Sequence, residues 1–504
     1  MRSTGPRQGQ RMLSRSNESS TFAADEVSVV LQQYLATAPL SADALADMAR
    51  RLAVAPNVNL PAILADAAYL DRVRFIGDER RRCGDDAPCL LVRPSPVPRD
   101  ETRLLLGSRS NLAVVFAAET ILLQDTIHAL HLDAMAWNRQ SSPGRGFNVL
   151  GVHRDWLTDT GAARGALVVD HDGRVKWMDF APPLPIHLVL ALHLPRANER
   201  DMHRRISEWC RRHRVPELTP FEAAAVADSK ARTSALVNAN APHIESPPFC
   251  LIERGTSRDA TRERIHAFAK SLSTASTLFA QPDGGTEGLE VECFDLAQPD
   301  GMSALLAHTN KILTHDAVIL REQRGNVRFR SPTQPEKGRR RLTLRVNVAW
   351  NGRAYAAESG YAQVAPDASF PVSSRSRGGA VIGITHALSW LYYSAGGRWV
   401  HAVPGVREVE AVRACACDAA LAIAGTSHPR ALPHLLGIDL LLEMKGTGRK
   451  AVLTPVFLEA NPRPAGLAQS REIRGVTDRH PAHRIAPALF AGAAGLVTPP
   501  SGTA

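Results

Sequence analysis

The order of its patterned segments predicts an α+β chain of more than one domain. Three observations carry that class. Short apolar runs such as IHLVLALHLP and LTLRVNVAWNG alternate irregularly with stretches of helical period. The chain has 504 residues, a length suited to about three domains. Hydrophobic residues make up 44% and charged residues 22%, a globular composition able to build a core without staples.

The elements follow in order. Residues 1–22 are polar, lack the apolar segment of a secretory leader and read as a flexible tail. From residue 23 the pattern is helical. SADALADMARRLAV opens at the N-cap Ser41, and LPAILADAAYLDRVRFI repeats its apolar spacing of three and four. Pro94, Pro96 and Pro98 mark a loop leading to a strand. NLAVVFAAETILLQDTIHALHLDAMAW reads as mostly helical, so residues 23–140 form a mainly helical region of unassigned role.

Residues 166–195 give two short strands and a buried apolar strand, followed by a basic amphipathic helix from Glu199 to Arg214. Thr219-Pro220 starts a helix pair, and 141–245 is taken as an α/β domain. Across 249–345 strands and helices alternate, from FCLIERG to LTLRVNVAWNG. AYAAESGYAQVA continues in strand, and 380–425 reads as helical. HLLGIDLLLEM and AVLTPVFLEAN form a hairpin about KGTGRK. The chain from 479 is rich in Ala, Gly and Pro and reads as weakly structured.

Charge and cysteine usage narrow the function classes. The net charge is +10, carried by scattered arginines that read mainly as solvated faces. The densest basic run, Arg328, Arg330, Lys337, Arg339, Arg340 and Arg341, holds one aromatic residue, Phe329, which argues against a stacking platform. No specific nucleic-acid partner is expected. The cysteines form no CxxC pair and read as reduced thiols, pointing to the cytoplasm. No apolar run approaches the ~20 residues of a membrane helix. A homodimer is allowed. His128, His131 and Asp133 resemble metal ligands in spacing, but without a second anchor they read as packing residues. His153-Arg154-Asp155 lacks the downstream partners of a kinase catalytic loop.

The predicted hairpin carries the chemistry. Asp439 lies in its first strand, and Glu459 and Asn461 lie at the end of its second. Residues two apart on a strand share a face, and an antiparallel neighbour brings Asp439 opposite them. Three hard oxygen ligands on one face suit Mg²⁺. Apolar flanks (PVFL before, PAGLA after) add to the case, because a buried carboxylate needs a cation or donor.

These residues resemble the signature of the ATP-grasp superfamily: an Asp in one strand, then Glu-x-Asn in the next, followed by a Pro-containing loop. GIDLLLE and FLEANPRPAG fit it, and the similarity runs in order over residues 185–470. It implies an ATP-grasp fold over 246–478, two α+β subdomains gripping ATP, behind a pre-ATP-grasp domain. It also implies that Asp439, Glu459 and Asn461 hold Mg²⁺, with Mn²⁺ as a substitute. Gly284, Gly285 and Gly288 of FAQPDGGTEGLEV would close over phosphates. Glu322 and Gln323 of AVILREQRGNVRF would meet adenine, and Lys230 of VADSKARTSALV a phosphate. Arg345, Arg377 and Arg463 are implied to bind phosphate or acyl phosphate.

Two departures stand out. Gln281 occupies the place of a lysine, and Asn326–Arg328 brings no acid for the ribose. The implied activity is an ATP-dependent ligase joining a small-molecule or peptide carboxylate to an amine or similar nucleophile. A phosphotransferase acting on a hydroxyl, or an ATP-binding module with weakened catalysis, are the alternatives.

Overall fold

The computed structural model describes residue 106 and residues 108–497, apart from 117–123, 143, 170–174, 193–196, 273–276, 286–287, 375–376, 426–427, 447–449, 465–466, 468–469 and 474–485. The expected tail at 1–22, the helices placed within 23–105, and residues 479–485 and 498–504 lie outside the described residues.

The first sheet is built from β1 (Ser110–Phe116), β2 (Phe147–His153), β3 (Ala162–Val169), β4 (Val175–Pro185) and β5 (Leu188–Ala191), in the order β4-β3-β2-β1-β5. Strand β1 lies inside the sheet, parallel to both β2 and β5, and α1 (Gln124–Gln140) crosses between β1 and β2. NLAVVF is therefore strand, where a helix was expected. Its continuous apolar run with paired valines is buried on both faces, and such a run has no period that separates strand from helix. The boundary expected at residue 140 thus falls inside a β-α-β unit. Helix α2 (Ala197–His213) follows, then α3 (Phe221–Asp228) and α4 (Lys230–Asn240), which starts at the N-cap Ser229.

The second sheet is antiparallel: β6 (Phe249–Ile252), β7 (Thr277–Pro282), β8 (Glu292–Asp295) and β9 (Val318–Glu322), in the order β6-β9-β7-β8. Helices α5 (Arg258–Ser271) and α6 (Gly301–Ile312) bury Ile252, Leu278, Ala280, Val318 and Leu320 on one face. The alternate residues Phe279, Gln281, Ile319 and Arg321 share the opposite face.

The third and fourth sheets complete the fold. Strands β10 (Val327–Phe329), β14 (Leu391–Ala395) and β15 (Arg398–Ala402) form a small sheet. The large sheet has the order β13-β12-β11-β16-β17, with β18 (Arg471–Glu472) beside β12. Its strands are β11 (Leu342–Trp350), β12 (Tyr355–Val364), β13 (Ala380–Gly383), β16 (Leu435–Lys445) and β17 (Val452–Asn461). Helix α8 (Val406–Ala424) packs Ala416, Ala419 and Ala420 against Leu344, Val346, Ile438 and Leu440. The other face of the same strands carries Arg345, Asn347 and Asp439.

Three further expectations change. Within 380–425 only α7 (Ile384–Ser389) and α8 are helical; β13 and the β14–β15 hairpin turned at Gly396-Gly397 occupy the rest. Aromatic and β-branched residues alternating around a Gly-Gly turn are a hairpin signal. The end of the chain includes a buried helix, α9 (Pro487–Ala494), with Leu489 and Phe490 in the core shared with α1. The basic loop is not free of aromatic contact either. Arg339 lies 5.0 Å from the Trp399 ring and 5.8 Å from that of Tyr392, both supplied by the distant hairpin. Among the described residues, no helix is long and apolar enough to cross a membrane.

Candidate active site

Strand β17 has to present Glu459 to the site while keeping Phe457 in the core. In a regular strand, residues two apart share a face, so one of the two would be misplaced. A bulge resolves the conflict. Asp439 pairs with Glu459 and Leu440 pairs with Phe457, leaving Leu458 as the extra residue. Glu459 and Asn461 then face the site with Asp439, and Phe457 packs fully buried under α8.

Arg345 on β11 sits directly opposite Asp439. Its guanidinium binds the carboxylate through two parallel bonds, Nε to Oδ1 at 2.7 Å and Nη2 to Oδ2 at 2.6 Å. Gly437, across from Asn461, leaves room for this: a Cβ there would stand 3.2 Å from Arg345 Cδ and 2.9 Å from Pro464 Cβ. Burial raises Asp439 to about 6; Arg345 opposes that shift, and the facing Glu459 adds to it. Burial works against the Arg345 charge, but Asp439 holds this guanidinium protonated well above its usual range.

This donor set fits a hard divalent cation. Two carboxylates face each other across one rung, and Asn461 Nδ2 lies 3.5 Å from Asp439 Oδ2, so the amide belongs to the same cluster. Each Asp439 oxygen keeps a second lone pair after binding Arg345. Among the described residues no group of three or more His, Cys, Asp or Glu side chains converges. A cation here would therefore complete its shell with the Asn461 oxygen and with oxygens from outside the protein, as Mg²⁺ does.

The other expected residues are placed as follows. Lys230, at the start of α4, is buried and donates to the carbonyls of Asp283 and Gly285. Burial lowers its pKa, and Glu459 is the largest influence in the other direction. Gly284 is held from both sides: its N–H donates to Asp316 Oδ2 at 3.1 Å, and its carbonyl accepts from Arg200 Nη2 at 2.7 Å. Gly288 has φ +69°, and a Cβ there would lie 2.8 Å from Ser374 Cβ. The turn after β7 thus touches the loop after β12 through a position only glycine fills easily. Gln281 is buried on β7 beside Ile319.

Gln323 and Arg341 meet near Phe279: with the Gln323 amide turned so that its oxygen faces the guanidinium, it accepts from Arg341 at 3.0 Å, and Arg341 lies 5.8 Å from the Phe279 ring. Glu322 pairs with Leu278, on the face of β9 covered by α5 and α6, so its side chain is not grouped with the other candidates. Arg377 rests over the Phe370 ring at 5.7 Å.

Arg463 is engaged through its two terminal nitrogens. Its Nη2 binds both oxygens of Asp228, and Nη1 donates to His203 Nδ1 at 2.8 Å. His203 Nε2 in turn faces Glu217 at 2.9 Å. Arg463 therefore ties the loop after β17 to α2 and α3, where a phosphate contact was expected.

No family description and no curated protein matches the chain. Solved structures are similar to it in chain path. D-alanine–D-alanine ligase from Coxiella burnetii is 11% identical, with 77% of this chain and 95% of that chain covered at a TM-score of 0.40. A RimK domain protein ATP-grasp from Sphaerobacter thermophilus is 13% identical, with 77% and 99% covered at a TM-score of 0.37. Macrocyclase MdnC from Microcystis aeruginosa, bound with precursor peptide MdnA, is 11% identical, with 77% and 99% covered at a TM-score of 0.38. Likenesses of this depth assign no activity.

Proposed function

We propose that this chain is an ATP-dependent ligase of the ATP-grasp type, taking ATP with Mg²⁺ in the space between the second and large sheets. The observation that carries the reading is the rung of the buried Asp439 and the half-buried Glu459, with Asn461 beside it. It provides hard oxygen donors in a place where two carboxylates are costly without a cation. Mg²⁺, when bound, would offset the charge of the nucleotide phosphates.

In the proposed reaction, a substrate carboxylate oxygen attacks the γ-phosphorus, the bond to the β–γ bridging oxygen breaks, and ADP leaves. The resulting acyl phosphate is attacked by an amine or similar nucleophile. Phosphate departs, and the nucleophile's proton is lost to solvent or a base. The chain's own part is positioning and charge. Arg345 fixes Asp439, Lys230 holds the turn Asp283–Gly285, and Gln323 with Phe279 offers an amide and a ring to the adenine. The substrates are small-molecule or peptide acids and amines.

The test is ADP release from ATP and Mg²⁺ against mixed amino acids and carboxylic acids. The wild type should release ADP with a matching acid–amine pair and form an amide. Glu459→Gln should lower the rate at least ~100-fold, from loss of charge stabilisation in the transition state, with an unchanged melting profile. ADP release at the wild-type rate in that variant refutes the proposal, and a phosphate ester as product replaces it with the phosphotransferase reading.

A further inference from the structure

Arg321 was not singled out in the sequence, and it is a deeply buried charge. It is 2% exposed, in the middle of β9. One nitrogen, Nη2, donates to the Lys230 carbonyl at 3.3 Å and to Ser234 Oγ at 3.0 Å. Nε and Nη1 are buried with no hydrogen-bond partner. Lys230, also buried, is its neighbour, and its ammonium donates to the carbonyls of Asp283 and Gly285. Among the described residues, neither cation makes a direct ion pair.

The nearby acids are largely occupied. The Asp283 carboxylate accepts from Ser229 Oγ at 2.6 Å and from the Ala231 N–H at 2.7 Å. That of Asp316 accepts from the N–H groups of Gly284 at 3.1 Å and Ala317 at 2.8 Å. Glu459, the metal-side carboxylate, is the strongest favourable charge acting on both cations. Two adjacent buried cations with unused donors are stabilised when an anion joins them. The strand register says where that anion would lie. Arg321 pairs with Phe279, and Ile319 with Gln281, so Arg321 projects from the same face as the uncharged Gln281.

We infer that Arg321 and Lys230 form a polyphosphate seat, in which the guanidinium of Arg321 supplies from β9 the charge that Gln281 does not supply from β7. The inference rests on the ligase reading of this cleft. The ligand class is a chain of linked phosphates, whether part of a nucleotide or free. A bracing role, tying β9 to α4 through Nη2, is the competing explanation.

Calorimetric titration with MgATP, MgADP, magnesium tripolyphosphate and adenosine separates these cases, using the full chain. The wild type should bind ATP and ADP. Arg321→Met should weaken both at least ~10-fold, the scale of one lost charge-assisted contact, and leave adenosine unchanged. Arg321→Lys, which keeps the charge, should recover part of that loss and also covers the case in which the methionine variant does not fold. Ser234→Ala removes a brace bond and should lower thermal stability without changing the ATP affinity.

Tripolyphosphate binding that falls in parallel with ATP binding in Arg321→Met places the contact on the phosphates, whichever source brings them. Unchanged ATP affinity in Arg321→Met overturns the inference, as does a loss in Ser234→Ala equal to that in Arg321→Met. Absence of ATP binding by the wild type overturns the ligase reading instead, and Glu459→Gln retaining ATP while losing turnover keeps the two failures apart.

Discussion

At the scale of single residues, Arg463 shows how a side chain's partners override its neighbourhood in sequence. It follows two candidate metal ligands within four positions, yet its guanidinium is engaged by Asp228 and His203. Breaking a buried pair leaves the partner's charge uncompensated. Arg463→Met is therefore expected to destabilise the fold by roughly 3–5 kcal/mol, and Asp228→Asn by a similar amount. In a urea-melt double-mutant cycle the two losses should be strongly non-additive; simple additivity would show that the pair is not coupled.

The grouping of Asp439, Glu459 and Asn461 was legible because strand alternation needs only local spacing; the bond from Arg345 to Asp439 was not, since a phosphate contact was expected of that arginine. Arg321 was not legible. An arginine amid Val-Ile-Leu gives no hint of its partners until the register of β9 against β7 and its contact with α4 are known.

At the scale of elements, the bulge at Leu458 decides which face Glu459 meets. Deleting Leu458 makes Phe457 and Glu459 consecutive, so plain alternation alone keeps them on opposite faces and Glu459 still meets the site. The deletion variant should therefore keep divalent-cation binding, read by calorimetry. Loss of cation binding in a folded variant would contradict this account. The bulge has no sequence mark, because FLEAN alternates acceptably in either phase.

The connection after β9 makes a pH prediction. Arg324 holds Glu443 through two bonds at 2.7 and 2.6 Å, and the Gly325 N–H donates to the same carboxylate. Burial alone would raise Glu443, but the Arg324 bonds and the Gly325 N–H outweigh it and hold the carboxyl below its usual value. A depressed carboxyl contributes stability above the unfolded pKa near 4.5, and that stability is lost as pH falls through the lower folded value. The melting temperature of Glu443→Gln should therefore lie below wild type at pH 6 and converge with it as the pH drops toward 3.

At the scale of the whole molecule, α9 joins parts that are far apart in the chain. Phe490 is fully buried and lies 5.6 Å from Phe147, centroid to centroid, while Leu489 shares a core with Leu112 of the first sheet and Ala349 of the large one. Phe490→Ala should cost about 3–5 kcal/mol. One cooperative transition shifted as a whole is expected; loss of the first sheet alone would mean that α9 does not couple the two. The alternation of strands and helices in the second sheet was legible because each element carries its own period. The packing of α9 was not, since an Ala/Gly-rich stretch becomes a core helix only when distant surfaces supply its partners.

One helix, α2, meets both the turn after β7, through Arg200, and the loop after β17, through His203. For anyone exchanging lobes between related chains, the natural-looking cut near residue 245 runs through neither contact yet severs both. A transplanted first lobe would arrive with a foreign α2 and would meet Arg463 without its histidine and Gly284 without its arginine. Recombination at this seam is expected to yield soluble but poorly active chimeras unless Arg200, His203, Asp228 and Arg463 travel as a set.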